Sequence, residues 1–271
     1  MICSATSCIW QDGEGTDLVV EPAGSGSCAA VVQKSPGRTA DSPCEDVAAL
    51  VRWGEEAAAL IVADGLGGHG DGEIAARLTT QAIVERLEVL ELDVAAIQAG
   101  ILAGIESANH ALLERPGGAA TTILVALIAG DSFRSYHAGD SELLITGQRG
   151  RVKHQTVSHS PVGYAVESGL ISAGQGLVHE DRHIVSNFVG MQGMRVEMAS
   201  AIRLAQHDTV VLASDGLWDN LDVDEVTEIV RKGGLEQAGR RLVDRCRARM
   251  SGAVGAVGKP DDLTVLLYRS R

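Results

Sequence analysis

The stretch Ala57 to Glu73, AAALIVADGLGGHGDGE, decides how the rest of the chain is read. Its apolar run, Ala57 to Ala63, is long enough for a strand buried on both faces, and it passes directly into Asp64-Gly65. A carboxylate thus stands at the end of a dry strand. Burying an unpartnered, ionised Asp costs on the order of several kcal/mol, so Asp64 must meet water, a cation or a hydrogen-bond donor. Gly67, Gly68, Gly70 and Gly72 follow, ahead of a helix. A segment with so few side chains can bring its own carbonyls and amides against an ion or a phosphate.

Working outward, His207 to Asp219, HDTVVLASDGLWD, repeats the figure: an apolar strand closing in Asp215-Gly216. Asp-Gly is also an ordinary turn pair at strand ends. Two such ends in one chain, taken with the acids described below, point instead to carboxylates brought together from distant positions.

Composition narrows the function classes. The chain has 271 residues, enough for one or two domains with a large core. Aromatic residues make up 3%, so the core must be aliphatic, and the stacking platforms of a single-strand nucleic-acid binder are hard to build. A formal net charge of −13 argues against binding a phosphate backbone or an anionic membrane. The five cysteines, Cys3, Cys8, Cys28, Cys44 and Cys246, lack C-x-x-C spacing, so neither a zinc site nor a disulfide framework is indicated, and a cytoplasmic setting is expected. The longest apolar run, Ile123 to Ala129, is strand-sized, and the N-terminus lacks signal-peptide character.

Taken in order, residues 1–27 carry no clear period and are expected to be a flexible or edge segment. Cys28 to Val32 and Val47 to Val51 read as short strands around the loop Lys34 to Cys44. Glu73 to about Leu90 reads as a helix with Ile74, Leu78, Ala82 and Leu87 near one face, and a second helix starts at an N-cap Asp93 and ends before Pro116. From Ala120 the period changes: Thr121 to Ala129, Phe133 to Ala138 and Glu142 to Thr146 read as a meander joined by Gly130-Asp131 and Gly139-Asp140. Residues 151–195 have weak periodicity and hold His154, His159, His179 and His183, as a functional loop or a surface excursion would. A strand Thr209 to Ala213, helices from Asp222 and Leu235, a flexible link Gly252 to Lys259 and a strand Leu263 to Tyr268 complete the chain. Strands in runs and helices in pairs suggest antiparallel sheets rather than βαβ units.

The acids at strand edges and tight turns are Glu45, Asp46, Asp64, Asp140, Asp215, Asp219, Asp261 and Asp262. If they converge, their repulsion calls for cations, and oxygen donors select hard ones such as Mg²⁺ or Mn²⁺. No Cys or His cluster of the kind zinc prefers is visible, and the glycine loop lacks the Lys-Ser/Thr of a P-loop.

In order and spacing, these acids resemble the metal-dependent serine/threonine phosphatases of type 2C. The resemblance rests on Glu45-Asp46, Asp64-Gly65-Leu66-Gly67-Gly68-His69, Thr121-Thr122, Gly139-Asp140-Ser141, Ser214-Asp215-Gly216-Leu217-Trp218-Asp219 and Asp261-Asp262-Leu263-Thr264, and runs from about Cys28 to Tyr268. It implies an α+β fold, a four-layer α-β-β-α sandwich of two antiparallel sheets flanked by helices, with a binuclear Mg/Mn centre at one end. Asp64 would bridge both ions, Gly65 would lend its carbonyl, Asp215 and Asp261 would complete one ion, and Glu45 and Asp46 would hold waters on the other. Asp140 and Asp219, with Asp215, match a third, weaker site. Ligands spread from 45 to 261 make residues 28–271 one phosphatase domain.

Two cations about 3.5–4 Å apart acidify a water for in-line attack on phosphorus, so no protein nucleophile is required. His69 is a candidate general acid for the departing alkoxide, or a plain polar contact. One departure stands out: where related chains carry a phosphate-binding Arg shortly before the Glu-Asp pair, this one has Asp41. Arg38 either reaches the phosphate by a longer route or leaves it to the metals. Residues 151–195 correspond to the family's flap, with His179, Arg182 and His183 as candidate substrate contacts or local caps. The expected substrate is a phosphorylated protein, a target of a Ser/Thr kinase or the kinase itself, and the expected state is a monomer. The alternatives are a catalytically weak phosphoprotein-binding module and a hydrolase of small phosphate esters.

Overall fold

The computed structural model describes residues 4–11, 18–39, 42–66, 71–253 and 258–270. In chain order the elements are β1 (Thr6–Gln11), β2 (Val19–Ala23), β3 (Gly26–Gln33), β4 (Asp46–Trp53), β5 (Ala57–Leu66), α1 (Asp71–Glu88), α2 (Val94–Leu113), β6 (Ala120–Thr121), β7 (Ile123–Ala129), β8 (Ser132–Ala138) and β9 (Glu142–Thr146). They continue with β10 (Val152–Gln155), α3 (Pro161–Glu167), α4 (Ala173–Gly176), β11 (Glu197–Met198), β12 (Ile202–Arg203), β13 (Thr209–Ala213), α5 (Asp215–Trp218), α6 (Val223–Val230), α7 (Leu235–Met250) and β14 (Leu263–Ser270).

Two antiparallel sheets result. The first runs β1-β4-β5-β7-β8-β11, with β12 added on β8 and β6 on β5, and the second runs β10-β9-β13-β14-β3-β2. The apolar run of β5 shows why they stack. Ala57, Ala59, Ile61 and Ala63 face one apolar layer with Ile83 and Leu87 of α1 and Ile97, Ile101 and Ile105 of α2. Ala58, Leu60 and Val62 face the other side, against Leu212 of β13 and Leu266 and Tyr268 of β14. A strand buried on both faces needs apolar residues at every position, which is what the sequence supplies. Beyond the second sheet, Val211 and Leu267 pack against Val226 and Val230 of α6 and Leu242 and Cys246 of α7. The fold is therefore the four-layer α-β-β-α sandwich.

Of the two readings of residues 1–27, the described part takes the edge one rather than the flexible one: residues 6–11 and 19–23 are strands at the edges of the two sheets, and half-exposed edges show no clean alternation. Three further expectations are corrected. The three middle strands are not one meander: β7 and β8 pair as a hairpin, but Gly139-Asp140 carries the chain out of the first sheet, and β9 pairs with β13 in the second. Gly139 sits at φ +130°, and a Cβ there would lie 2.4 Å from Cβ of Thr122, so only glycine makes this passage. The buried face of α1 is Ala75, Ala76, Thr79, Thr80, Ile83 and Leu87, with Leu78 and Ala82 only partly buried, because small residues let the helix lie close on the sheet. The segment 151–195 is not wholly irregular, since it contains β10, α3 and α4. The Asp93 cap is as expected, its Oδ1 accepting from the amides of Ala95 and Ala96.

Candidate metal centre

The acids meet at one end of the sandwich because antiparallel neighbours share their ends. The register of β4 and β5 sets Asp46 directly opposite Asp64. Like charges in such a pair destabilise the sheet unless something neutralises them. In the second sheet β13 runs into Asp215 as β14 leaves Asp261-Asp262, and the pairing of these two strands brings the positions together. Asp140, in the passage between β8 and β9, arrives beside Asp215 because β9 lies on the other side of β13.

Backbone and hydroxyl groups hold these residues in place. The Asp64 amide donates to Thr122 Oγ1 at 3.0 Å, while Thr121 Oγ1 and the Thr122 amide both donate to the Asp64 carbonyl at 2.8 Å. The Gly65 amide donates to the Glu45 carbonyl at 3.0 Å. Here the chain passes so close to the start of α1 that a Cβ on Gly65 would lie 2.2 Å from the Gly72 carbonyl oxygen. Across the sheets, Ser214 Oγ donates to Asp46 Oδ2 at 2.7 Å and accepts from the Thr264 amide at 3.0 Å. Asp262 takes the amides of Ser35 and Glu45, each at 2.7 Å, and so fastens the loop before β4 to the start of β14.

Burial first, and then the neighbouring acids, push the Asp46, Asp64 and Asp140 carboxyls well above the usual carboxylate range. For Asp64 those neighbours are Asp46, Asp215, Asp261 and Asp140. Asp261 is pushed up to about 6, by burial and then by Asp215. Such a group calls for positive charge. Divalent cations fit it: Oδ1 of Asp46 and Oδ1 of Asp140 are buried without a hydrogen-bond partner among the described residues, and the donors are hard oxygens.

Among the described residues, three basic side chains enter the acidic end. Arg38 is not held in solvent, because its Nη2 lies 2.7 Å from Glu45 Oε2, its Nη1 donates to the Pro43 carbonyl at 2.9 Å and also lies 3.6 Å from Asp262 Oδ2. Arg182 Nε lies 3.8 Å from Asp219 Oδ2. Lys259 touches Asp215, Asp219 and Asp261 at 2.6, 2.8 and 3.0 Å. Burial alone would lower its pKa, yet the three carboxylates hold it above the usual lysine value. Lys259 was expected in a flexible link, and only its place just before Pro260-Asp261-Asp262 hinted otherwise. His179 and His183 do not join the site: the first caps the turn at Glu180–His183 by accepting from the Asp181 amide, and the second bonds the Glu180 carbonyl. His69 and Asp41 lie outside the described residues. Between the flap and α5, a cavity of about 210 Å³ is lined by Asp140, Asp215 and Asp219 together with Val162, Val166 and Leu177.

The fold also assembles a histidine group that spacing hides. His137 and His159 stack at 4.3 Å, and His159 Nε2 lies 3.3 Å from Glu197 Oε2. Hydrogen bonds decide that this is not a metal site. His159 Nδ1 accepts from the Gly139 amide and from Asn187 Nδ2, and Asn187 is fixed because its Oδ1 and Nδ2 both bond the Arg195 backbone. The His159 proton therefore sits on Nε2, facing Glu197, where a metal would need a lone pair. Its task is to hold the flap to Gly139, whose carbonyl also accepts from the His159 amide at 3.0 Å.

Comparison with known proteins agrees with this geometry. The family model described as Protein phosphatase 2C matches residues 37–250. The serine/threonine protein phosphatase PstP of Mycobacterium tuberculosis is 28% identical over 218 residues, covering 77% of this chain and 39% of PstP. The serine/threonine phosphatase stp of Listeria monocytogenes is 27% identical over 219 residues, 77% of this chain and 82% of that protein. Among solved structures, serine/threonine phosphatase Stp1 from Staphylococcus aureus superposes with a TM-score of 0.77 at 23% identity, over 96% of this chain and 99% of that one. The catalytic domain of PstP in complex with two manganese ions gives 0.69 at 24% identity, over 93% and 99%.

Proposed function

Since this chain belongs to the protein phosphatase 2C family, and is a metal-dependent serine/threonine phosphatase of that family, we propose the residues that run the reaction. Asp64, the Gly65 carbonyl, Asp215 and Asp261 would hold two Mg²⁺ or Mn²⁺ ions, with Glu45 and Asp46 orienting water beside them. Asp140 and Asp219 stand beside this pair, and His69 serves as general acid. The observation that carries the assignment is the cross-strand pair Asp46 and Asp64, with an Asp46 oxygen left unpartnered in a buried place.

When bound, the ions supply an acidified water and neutralise the phosphoryl oxygens. The chain's residues do the rest. Thr121 and Thr122 fix Asp64, Ser214 turns Asp46, and Asp262 sets the height of Glu45 by holding its amide. Arg38 keeps donors free beyond those spent on Glu45 and Pro43, and offers them to the phosphate. The flap cavity, lined by both carboxylates and apolar side chains, suits a side chain flanking the phosphorylated residue, which favours a protein substrate over a small ester. Ligands from both sheets support reading residues 28–271 as one catalytic domain. Among the described residues no helix is long and apolar enough to cross a membrane, and we place the protein in the cytoplasm, as a monomer acting on kinase targets.

The test is Asp64→Asn and Asp215→Asn, assayed on a phosphothreonine peptide with saturating Mn²⁺ and melted in EDTA. Each should lose nearly all turnover while staying folded, and Asp64→Asn should melt no lower than the parent, because it removes a charge from a crowded acidic group. Full turnover in either variant would sink the assignment.

A further inference from the structure

One cation of the acidic end belongs to the chain itself. Lys259 Nζ donates to Asp215 Oδ2 at 2.6 Å and forms close ion pairs with Asp219 Oδ2 at 2.8 Å and Asp261 Oδ2 at 3.0 Å, so three carboxylates surround one ammonium. This is a built position. Buried Asn220 grips the Lys259 backbone from both sides, accepting its amide at 3.1 Å and donating to its carbonyl at 2.9 Å, and the same Asn220 nitrogen bonds the Gly216 carbonyl. Pro260 then restricts the next step of the chain. Ordering a lysine side chain costs rotamer entropy, and charge-assisted contacts to partly buried acids offset it.

We propose that the Lys259 ammonium takes the place of the third divalent ion, so that this chain binds two ions where Asp140, Asp215 and Asp219 would otherwise accept one more. The inference rests on the two-ion reading above. Two of the three oxygens that Lys259 holds belong to that third set. An ammonium donates over hydrogen-bond distances, whereas Mg²⁺ draws oxygens to about 2.0–2.1 Å, so the two cations cannot occupy one position among these oxygens. Each carboxylate has a second oxygen, and although Asp261 Oδ1 accepts the Asp262 amide at 3.0 Å it keeps another lone pair, so Asp215 and Asp261 can serve the primary pair while Oδ2 of each stays with Lys259. Unlike a weakly held ion, a tethered charge does not depend on the concentration of metal in the medium.

The experiment counts Mn²⁺ on the full chain by equilibrium dialysis with elemental analysis, for the parent, Lys259→Met and Lys259→Gln, beside thermal melting in EDTA. The parent should hold two ions per chain up to millimolar free metal, and both variants three. In EDTA the variants should melt about 2–4 °C lower, as a loss near 1 kcal/mol would give in a chain of this size, and Mn²⁺ should remove the difference. Should Lys259→Met not fold, Lys259→Gln carries the count. Three ions on the parent, or two on a folded variant, overturns the proposal and leaves the two-ion reading standing. No ion on the parent overturns both.

Discussion

Arg38 commits one guanidinium nitrogen to Glu45 at 2.7 Å and another to the Pro43 carbonyl. On the function proposed above, its loss would act both on Glu45 and on the grip on phosphate. Arg38→Ala should therefore lower kcat/KM for a phosphopeptide by the worth of a charge-assisted pair, on the order of 1.5–3 kcal/mol, and Arg38→Lys should recover only part, lacking the planar fork. Kinetics across a Mn²⁺ series separate the two roles. If saturating metal restores the Ala variant fully, Arg38 serves Glu45 alone; if a raised KM persists, it grips phosphate. At this scale the sequence was informative about acids, which announce themselves at strand ends, and poor about their partners. Ser214, Asn220 and Lys259 matter through contacts made across the sandwich, such as the 2.7 Å bond from Ser214 to Asp46, and no local pattern encodes them.

Elements with strong periods were legible. The strand Thr209–Ala213, the Asp93 cap and the helices beginning at Asp222 and Leu235 all follow from spacing and, at Asp93, capping chemistry. What escaped was how strands pair. Gly130-Asp131 and Gly139-Asp140 look alike in sequence, yet the first turns a hairpin and the second changes sheets, because only the second is pressed against Thr122 and held by His159. Gly139→Ala tests that passage. With φ at +130° and a Cβ set 2.4 Å from Thr122, the variant should lose on the order of 1–3 kcal/mol in urea unfolding, and should bind Mn²⁺ differently because Asp140 is displaced. An unchanged midpoint and metal isotherm would show that the turn is not constrained in this way.

At the scale of the molecule, burying His137 ties stability to pH. Burial, and then His159 beside it, lowers the His137 pKa to about 4, so the folded chain binds a proton less readily than the unfolded one. A histidine lowered in this way contributes stability above its unfolded pKa, near 6.5, and the contribution fades as pH falls toward 4. Between pH 7.5 and pH 5 the loss should be about 2 kcal/mol, following the usual worth of a pKa unit. Urea unfolding of the parent and His137→Gln, both in EDTA, checks this: the parent should lose that much more than the variant on acidification, since the carboxylates are common to both. Equal slopes would show His137 to be protonated in the folded state.

The first sheet supplies Glu45, Asp46 and Asp64, and the second supplies Asp215 and Asp261, joined already by the hydrogen bond from Ser214 to Asp46 and the clasp of Asp262 on the Glu45 amide. An ion held between these groups, as proposed, would also be a rivet through two plates, doing at the rim what the apolar layer does at the centre. Chelation would then remove a mechanical fastener along with the means of hydrolysis, and the rim, rather than the middle, is where the two plates would first part.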